Sequence, residues 1–210
     1  MNVKEIFDKH VDQYENWFIQ HPFVFQSELE AIRSMLPYGE ILGIEVGLAT
    51  GRFSKALGIK EGVEPSSEMR KRAISKGIHV FDAVAESLPF KDMKYDFVLM
   101  NNCIVYFENC ISALKEAYRV LKRGGTIIVS FIDVNSTIGK EYESVKGTST
   151  FYKQARFYEV EEIKSLLLKS GFSSLKISQT LFGSLDEIQS IQPSIPGYGV
   201  GSFVVISGVK

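Results

Sequence analysis

From Ile41 onward the chain alternates two periods of apolar residues, and that alternation limits its fold more than any other feature. Short apolar runs at 41–46 (ILGIEV), 61–65 (EGVEP), 78–83 (IHVFDA), 95–100 (YDFVLM) and 126–132 (TIIVSFI) read as strands. Between them lie segments of helical period. One starts at Gly51, one covers 67–76, and one carries Ile111, Leu114, Tyr118 and Leu121 on one face and ends at the basic, glycine-closed KRGG of 122–125. A further helix is expected over 160–170, stopped by Gly171. The pattern predicts an α/β fold with a mainly parallel sheet and helices on both faces, which suits the unbroken apolar run of YDFVLM. Two final strands, 175–182 (LKISQTLF) and 201–208 (GSFVVISG), have no helix-length segment between them. A parallel crossover needs one, so the last of the seven strands is expected to run antiparallel. Before the first strand, two amphipathic helices are expected over 3–18 and 26–35, the second stopped by Pro37-Tyr38-Gly39.

Charge and composition exclude several classes of function. With 24 basic and 25 acidic residues well mixed along the chain, no basic stripe offers a footprint for nucleic acid. No apolar run is long enough to span a bilayer, and the first residues lack a signal-peptide core. Cys103 and Cys110 fit no zinc or redox spacing and are expected to be reduced packing residues in a cytoplasmic protein. His10, His21 and His79 have no ligand-like spacing, so no metal site is expected. At 210 residues a single domain over 1–210 is the natural reading.

In sheets of this kind the ligand crevice lies beyond the C-terminal strand ends. That rule gathers residues 45–51, Glu64, residues 84–86 and Asn101-Asn102 at one rim. Gly47 and Gly51 allow a close backbone approach or positive φ. Their spacing, G-L-A-T-G, is not the G-x-G-x-x-G of a turn that cradles a pyrophosphate. Glu45, just before the turn, would repel an anion and suits a ligand with positive charge. Glu64, ending the second strand, is placed to accept hydrogen bonds from both hydroxyls of a ribose. A ribose at Glu64 and a cationic group near Glu45 describe S-adenosylmethionine better than a nicotinamide dinucleotide.

The segments EVGLATG (45–51), GVEPSSEM (62–69), AVAESLPFKDMKYDFVLM (83–100), ALKEAYRVLKRGGTIIVSF (113–131) and FYEVEEIKSLLLKSGF (157–172), in this order, and YENWF (14–18) before them resemble those of class I S-adenosylmethionine-dependent methyltransferases of the small-molecule type. The resemblance spans nearly the whole chain. It implies a Rossmann-like three-layer sandwich with S-adenosyl-L-methionine as cofactor. It also implies cofactor contacts from Tyr14, Glu45, Gly47, Ala49, Gly51, Arg52, Glu64, Ala85, Glu86 and Asn101, with Tyr14 as a cap; Arg52 reads either as a contact of the cofactor carboxylate or as a solvated first-turn residue. Residues 1–36 are then an N-terminal lid. Two positions depart from the family pattern. Ala49 replaces the middle glycine, and its methyl is tolerated where φ is negative. Val84 replaces an acid or hydroxyl that meets the adenine amino group, which leaves adenine to the backbone of Ala85 and Glu86 and to apolar walls.

Asn101-Asn102-Cys103-Ile104 lacks the (Asn/Asp)-Pro-Pro-aromatic pattern used on base and glutamine amino groups, which disfavours nucleic-acid methylation. The long connection at 132–158 carries Tyr142, Phe151, Tyr152, Phe157 and Tyr158 and is expected to be a substrate-side insertion with some helix of its own. No catalytic triad is present. Tyr106, Glu108 and Asp133 stand at strand ends where a base would be useful, and none is singled out. The expected function is methyl transfer to a small-molecule acceptor. The alternatives are a non-catalytic module of the same fold and, on spacing less favoured, an NAD-linked oxidoreductase. Neither the acceptor nor an oligomeric state is written in the sequence.

Overall fold

In a computed structural model, which describes residues 2–210, three helices open the chain: α1 (Val3–Lys9), α2 (Val11–Gln20) and α3 (Pro22–Arg33). The expected helix over 3–18 is broken at His10, whose φ of −123° and ψ of 29° leave the helical region. The next helix begins at Pro22 rather than at 26, because proline in a first turn gives up no intrahelical hydrogen bond.

Strands and helices then alternate as β1 (Gly43–Val46), α4 (Arg52–Leu57), β2 (Glu61–Val63), α5 (Ser67–Ser75), β3 (His79–Phe81), β4 (Tyr95–Asn101), α6 (Cys110–Val120) and β5 (Leu121–Ile132). They are followed by α7 (Thr137–Val145), α8 (Val160–Lys169), β6 (Ser173–Thr180), β7 (Ile195–Pro196) and β8 (Phe203–Val209). One sheet holds all eight strands in the order β3-β2-β1-β4-β5-β8-β6-β7. The first five strands are parallel, and β8 inserts antiparallel to both β5 and β6. The architecture is the expected α/β sandwich with its antiparallel last strand.

Two details correct the sequence reading. The sheet has eight strands rather than seven, because Ile195 and Pro196 pair with Gln179 and Ser178 at the edge. Two residues, one of them proline, leave no alternation to read. The helix before β5 also stops at Val120, short of KRGG. Leu121 already pairs with Tyr95, residues 122–125 bulge out around Gly124 at φ +73°, and pairing resumes at Phe97 and Thr126.

Alternate residues of the central strands feed two cores. Ile44, Val46, Val98, Met100, Ile127 and Val129 face α6 and α8, packing with Leu114, Ala117, Ile163 and Leu167. Phe97, Leu99, Ile128, Phe203 and Val205 face the opposite side and pack with Phe18, Val24, Ile32 and Phe53 of α2, α3 and α4. Glu45 shares this second face, opposite Leu99 in the register. No helix among the described residues is long and apolar enough to cross a membrane.

Candidate active site

The parallel register decides what meets at the rim. Val46 pairs with Val63 on one side and Met100 on the other, so the next residue of each strand, Gly47, Glu64 and Asn101, emerges at the same sheet edge. The Gly47 N–H extends the ladder by donating to the Val63 carbonyl at 2.9 Å. Gly47 then turns with φ +69°, and a Cβ built there would stand 2.7 Å from the Cβ of Cys103. No residue but glycine fits this position without displacing the loop after β4.

Ala49 adopts φ +49°, the left-handed conformation. The condition for tolerating its methyl without strain, a negative φ, is not met at this residue. Its methyl is accommodated at the cost of backbone strain, of the kind that concentrates at functional sites. The conformation directs the Ala49 N–H at Glu64 Oε2, 2.9 Å away, while Glu64 Oε1 accepts from Ser66 N–H at 2.8 Å. The carboxylate is thereby fixed at the end of β2 with one donor on each oxygen, and each oxygen keeps further acceptor capacity. Burial lifts the Glu64 carboxyl to about 7, against the pull of those two N–H groups.

Glu45 is 2% exposed and accepts a hydrogen bond from Ser54 Oγ in α4. Burial lifts it to about 8, and the Glu64 charge adds to the effect. Both carboxylates bear on the same two neighbours. Burial first, and then Glu45 and Glu64 in turn, raise the Tyr14 phenol and the Cys103 thiol well above their ordinary values. The charges of both acids thus reach Tyr14 and Cys103, and Cys103 Sγ donates to the Val46 carbonyl at 3.1 Å.

Gly51 takes φ +72° and opens α4. Arg52, in the first turn of that helix, pairs with Glu15 of α2, and its guanidinium lies 5.0 Å from the Phe18 ring centroid. Lys76 completes the link, donating to Glu15 Oε1 at 2.9 Å and to the Thr50 carbonyl at 2.8 Å. Asn101 is buried at the end of β4 and accepts from Ser130 Oγ at 2.7 Å. Asn102 follows with φ +52°. Ala85 is buried and Glu86 half-buried in a turn closed by Ser87 N–H to Val84 O at 3.2 Å, while the Val84 side chain is exposed. Of Tyr106, Glu108 and Asp133, Asp133 is buried and accepts from Asn135 N–H at 3.1 Å.

Several contacts around the site carry weak signals in the sequence. Asp8 of α1 accepts from Ser66 Oγ at 2.6 Å and Glu68 N–H at 3.0 Å, pinning the first helix to the turn after Glu64. Arg119 of α6 donates to the carbonyls of Leu88 at 3.0 Å and Phe90 at 2.7 Å, and its partner Glu116 accepts from Leu88 N–H at 2.7 Å. The segment after residue 84 is thus clamped to α6. Phe7 packs on Tyr106 with ring centroids 5.3 Å apart and on Phe151 at 5.3 Å, joining α1 to the insertion after β5. No group of His, Cys, Asp and Glu among the described residues is placed to hold a metal ion.

The arrangement suits S-adenosylmethionine. The glycine turn leaves room only for backbone at Gly47, a fixed carboxylate stands at the end of the neighbouring strand, and two buried acids favour a cationic partner over an anionic one.

Known proteins point the same way. A methyltransferase-domain model matches residues 44–129. The chain is 47% identical to a Thermotoga maritima protein of known crystal structure, described as an S-adenosylmethionine-dependent methyltransferase and possible histamine N-methyltransferase; the match covers 98% of this chain and 99% of that one with a TM-score of 0.95. It is 43% identical over 205 residues to an uncharacterized protein of Methanocaldococcus jannaschii, covering 98% of each. A 2-phytyl-1,4-beta-naphthoquinone methyltransferase of Arabidopsis thaliana is 30% identical over 140 residues, which span 56% of this chain and 53% of that protein. The chain therefore belongs to the class I S-adenosylmethionine-dependent methyltransferases, with S-adenosylmethionine as its cofactor.

Proposed function

We propose that the protein transfers the methyl group of S-adenosylmethionine to a small-molecule acceptor. The observation that carries this reading is the Glu64 carboxylate, held at the end of β2 by two backbone N–H groups beside a turn that only glycine can make at Gly47.

In this reading Glu64 accepts from the ribose hydroxyls and Glu45 offsets the positive charge of the methionine end. The Gly47–Gly51 turn and Asn101 line that end, and the backbone of Ala85 and Glu86 borders the adenine. Tyr14 caps the crevice. The three opening helices act as a lid, held by Asp8 and by the Glu15 pairs to Arg52 and Lys76. Arg52, paired with Glu15 of α2, anchors the lid beside the methionine end, where the cofactor carboxylate is its further partner.

The cofactor supplies an activated methyl group, so the protein's work is alignment and exclusion of water. Holding two reactants in line is worth about 7–11 kcal/mol. The test is thermal unfolding with and without S-adenosylmethionine or S-adenosylhomocysteine, followed by mass analysis of acceptor mixtures for a gained methyl. A cofactor-dependent rise in Tm with a methylated product supports the reading. Binding without turnover across a broad acceptor panel contradicts it.

A further inference from the structure

At the end of the sheet opposite the cofactor rim, a cavity of about 500 Å³ opens between α6 and the starts of β4 and β5. That volume lies within the range of small-ligand sites. Lys115, Tyr118 and Arg119 line it from one face of α6, at the i, i+3, i+4 spacing. Met93 lines it from the turn before β4, Arg123 from the bulge of β5, and Lys210 from the end of the chain beside them.

The lining is held in place by its own hydrogen bonds. The Lys210 N–H donates to the Gly125 carbonyl at 3.0 Å, and its carbonyl accepts from Gly124 N–H at 3.1 Å, so the residue is tied to the bulge twice. Its Nζ donates to the Leu121 carbonyl at 2.7 Å and lies 4.7 Å from the Tyr118 ring centroid. Met93 N–H donates to the Arg119 carbonyl at 3.0 Å, although Met93 sits at φ +55° and leaves its side chain 53% exposed. Non-glycine residues in that conformation are strained, and such strain gathers at ligand sites.

Charge at this cavity runs against that of the whole chain, whose net charge is −1. Four cations, Lys115, Arg119, Arg123 and Lys210, face two carboxylates, Asp92 and Glu116. Arg119 pairs with both acids, at 2.8 Å and 2.6 Å, and the next acid along, Asp96, pairs with Lys122 at 2.8 Å. Among the described residues no ion pair reaches Lys115 or Arg123. Burial pulls the Lys210 ammonium below its ordinary value; Asp92 opposes the fall, and the charges of Arg123 and Arg119 add to it. Cations gathered in a concave site focus their field and are relieved by an anion. The excess of two positive charges matches the dianion of a phosphate monoester at neutral pH.

We propose that this cavity binds a small organic phosphate, its phosphate held by Lys115, Arg123 and Lys210 and its organic part set against Tyr118 and Met93. The site shares no residue with the glycine turn, Glu45 or Glu64, so it stands independently of the methyltransferase reading.

The experiment is calorimetric titration of the full chain in a phosphate-free buffer with phenyl phosphate, inorganic phosphate and phenol, joined to amide chemical shifts of the wild type. Phenyl phosphate is expected to bind with a Kd below about 1 mM, inorganic phosphate about threefold or more weakly, and phenol not at all at about 10 mM. Shifts are expected to centre on residues 92–93, 115–124 and 210. The double variant Lys115→Gln with Arg123→Gln removes two cations that hold nothing else in the fold, so its unliganded Tm is expected to stay unchanged while phenyl phosphate affinity falls about tenfold or more. Unchanged affinity in that variant overturns the proposal, as does equal affinity for inorganic phosphate. So does the absence of phenyl phosphate binding at about 10 mM, and so do shifts centred on residues 45–51 and 64 instead. The shift map is read on the wild type, which keeps the test decisive whatever the stability of the variant.

Discussion

The backbone N–H of Ala49 donates to Glu64 Oε2 at 2.9 Å from a residue held at φ +49°. The glycine turn and the carboxylate at the end of β2 are one unit, and a strained alanine joins them. An L-residue in this conformation costs about 1–2 kcal/mol.

Ala49→Gly relieves that strain but frees the unfolded chain by about 0.4–1 kcal/mol. A net gain of up to about 1 kcal/mol follows, or about 2–4 °C in Tm for a chain of this size. Ala49→Val, β-branched at positive φ, is expected to lower stability by about 1–3 kcal/mol and weaken cofactor binding. Thermal unfolding of the three proteins checks the order Gly, Ala, Val.

The buried acids set a pH dependence with a defined sign. Burial lifts Glu64 to about 7 and Glu45 to about 8 in the folded chain, above their ordinary value of 4.5. Between the unfolded and folded values the native state binds more protons than the unfolded one, so stability falls as pH rises through this window and levels off above it. A ligand that favours the ionised acids binds more tightly as pH rises from about 6 to about 8. Unliganded Tm is therefore expected to decline over that range, and Glu45→Gln and Glu64→Gln to flatten the decline. A Tm that climbs instead would contradict the burial of these groups.

Arg119 clamps the carbonyls of Leu88 and Phe90 from α6. Arg119→Ala removes charge-assisted hydrogen bonds worth about 1–3 kcal/mol. It is expected to speed amide exchange in residues 84–90 and to lower cofactor affinity, since that segment borders the adenine in the proposed binding mode. Hydrogen exchange localises the effect. Uniform loosening of the whole chain would show a purely global role.

The strand runs and the order of β1 to β5 could be read from the sequence because each carries its own apolar pattern. The features it hid depend on contacts between distant segments. KRGG carries every mark of a helix end, yet Leu121 has already joined the sheet opposite Tyr95, a pairing no local pattern records. Ala49 looks compatible with negative φ until the Glu64 carboxylate fixes where its N–H must point. Arg52 reads as a first-turn cation, and no local pattern records its partner Glu15, 37 residues earlier in the chain. Glu28 sits in QSELEA like any solvated helical acid, and only the packing of α3 on the sheet buries it. The placement of Glu45 and Glu64 at one sheet edge, by contrast, can be read from the sequence, because strand ends and glycine turns are local signals.

In the proposed binding mode Glu64 grips the ribose of S-adenosylmethionine. The decisive measurement is calorimetric titration of the cofactor into wild type and Glu64→Ala, with folding verified by thermal unfolding. Affinity is expected to fall about 10–100-fold, the equivalent of about 1.5–3 kcal/mol for hydrogen bonds to a charged group. Undiminished affinity in a folded Glu64→Ala protein would refute the assignment.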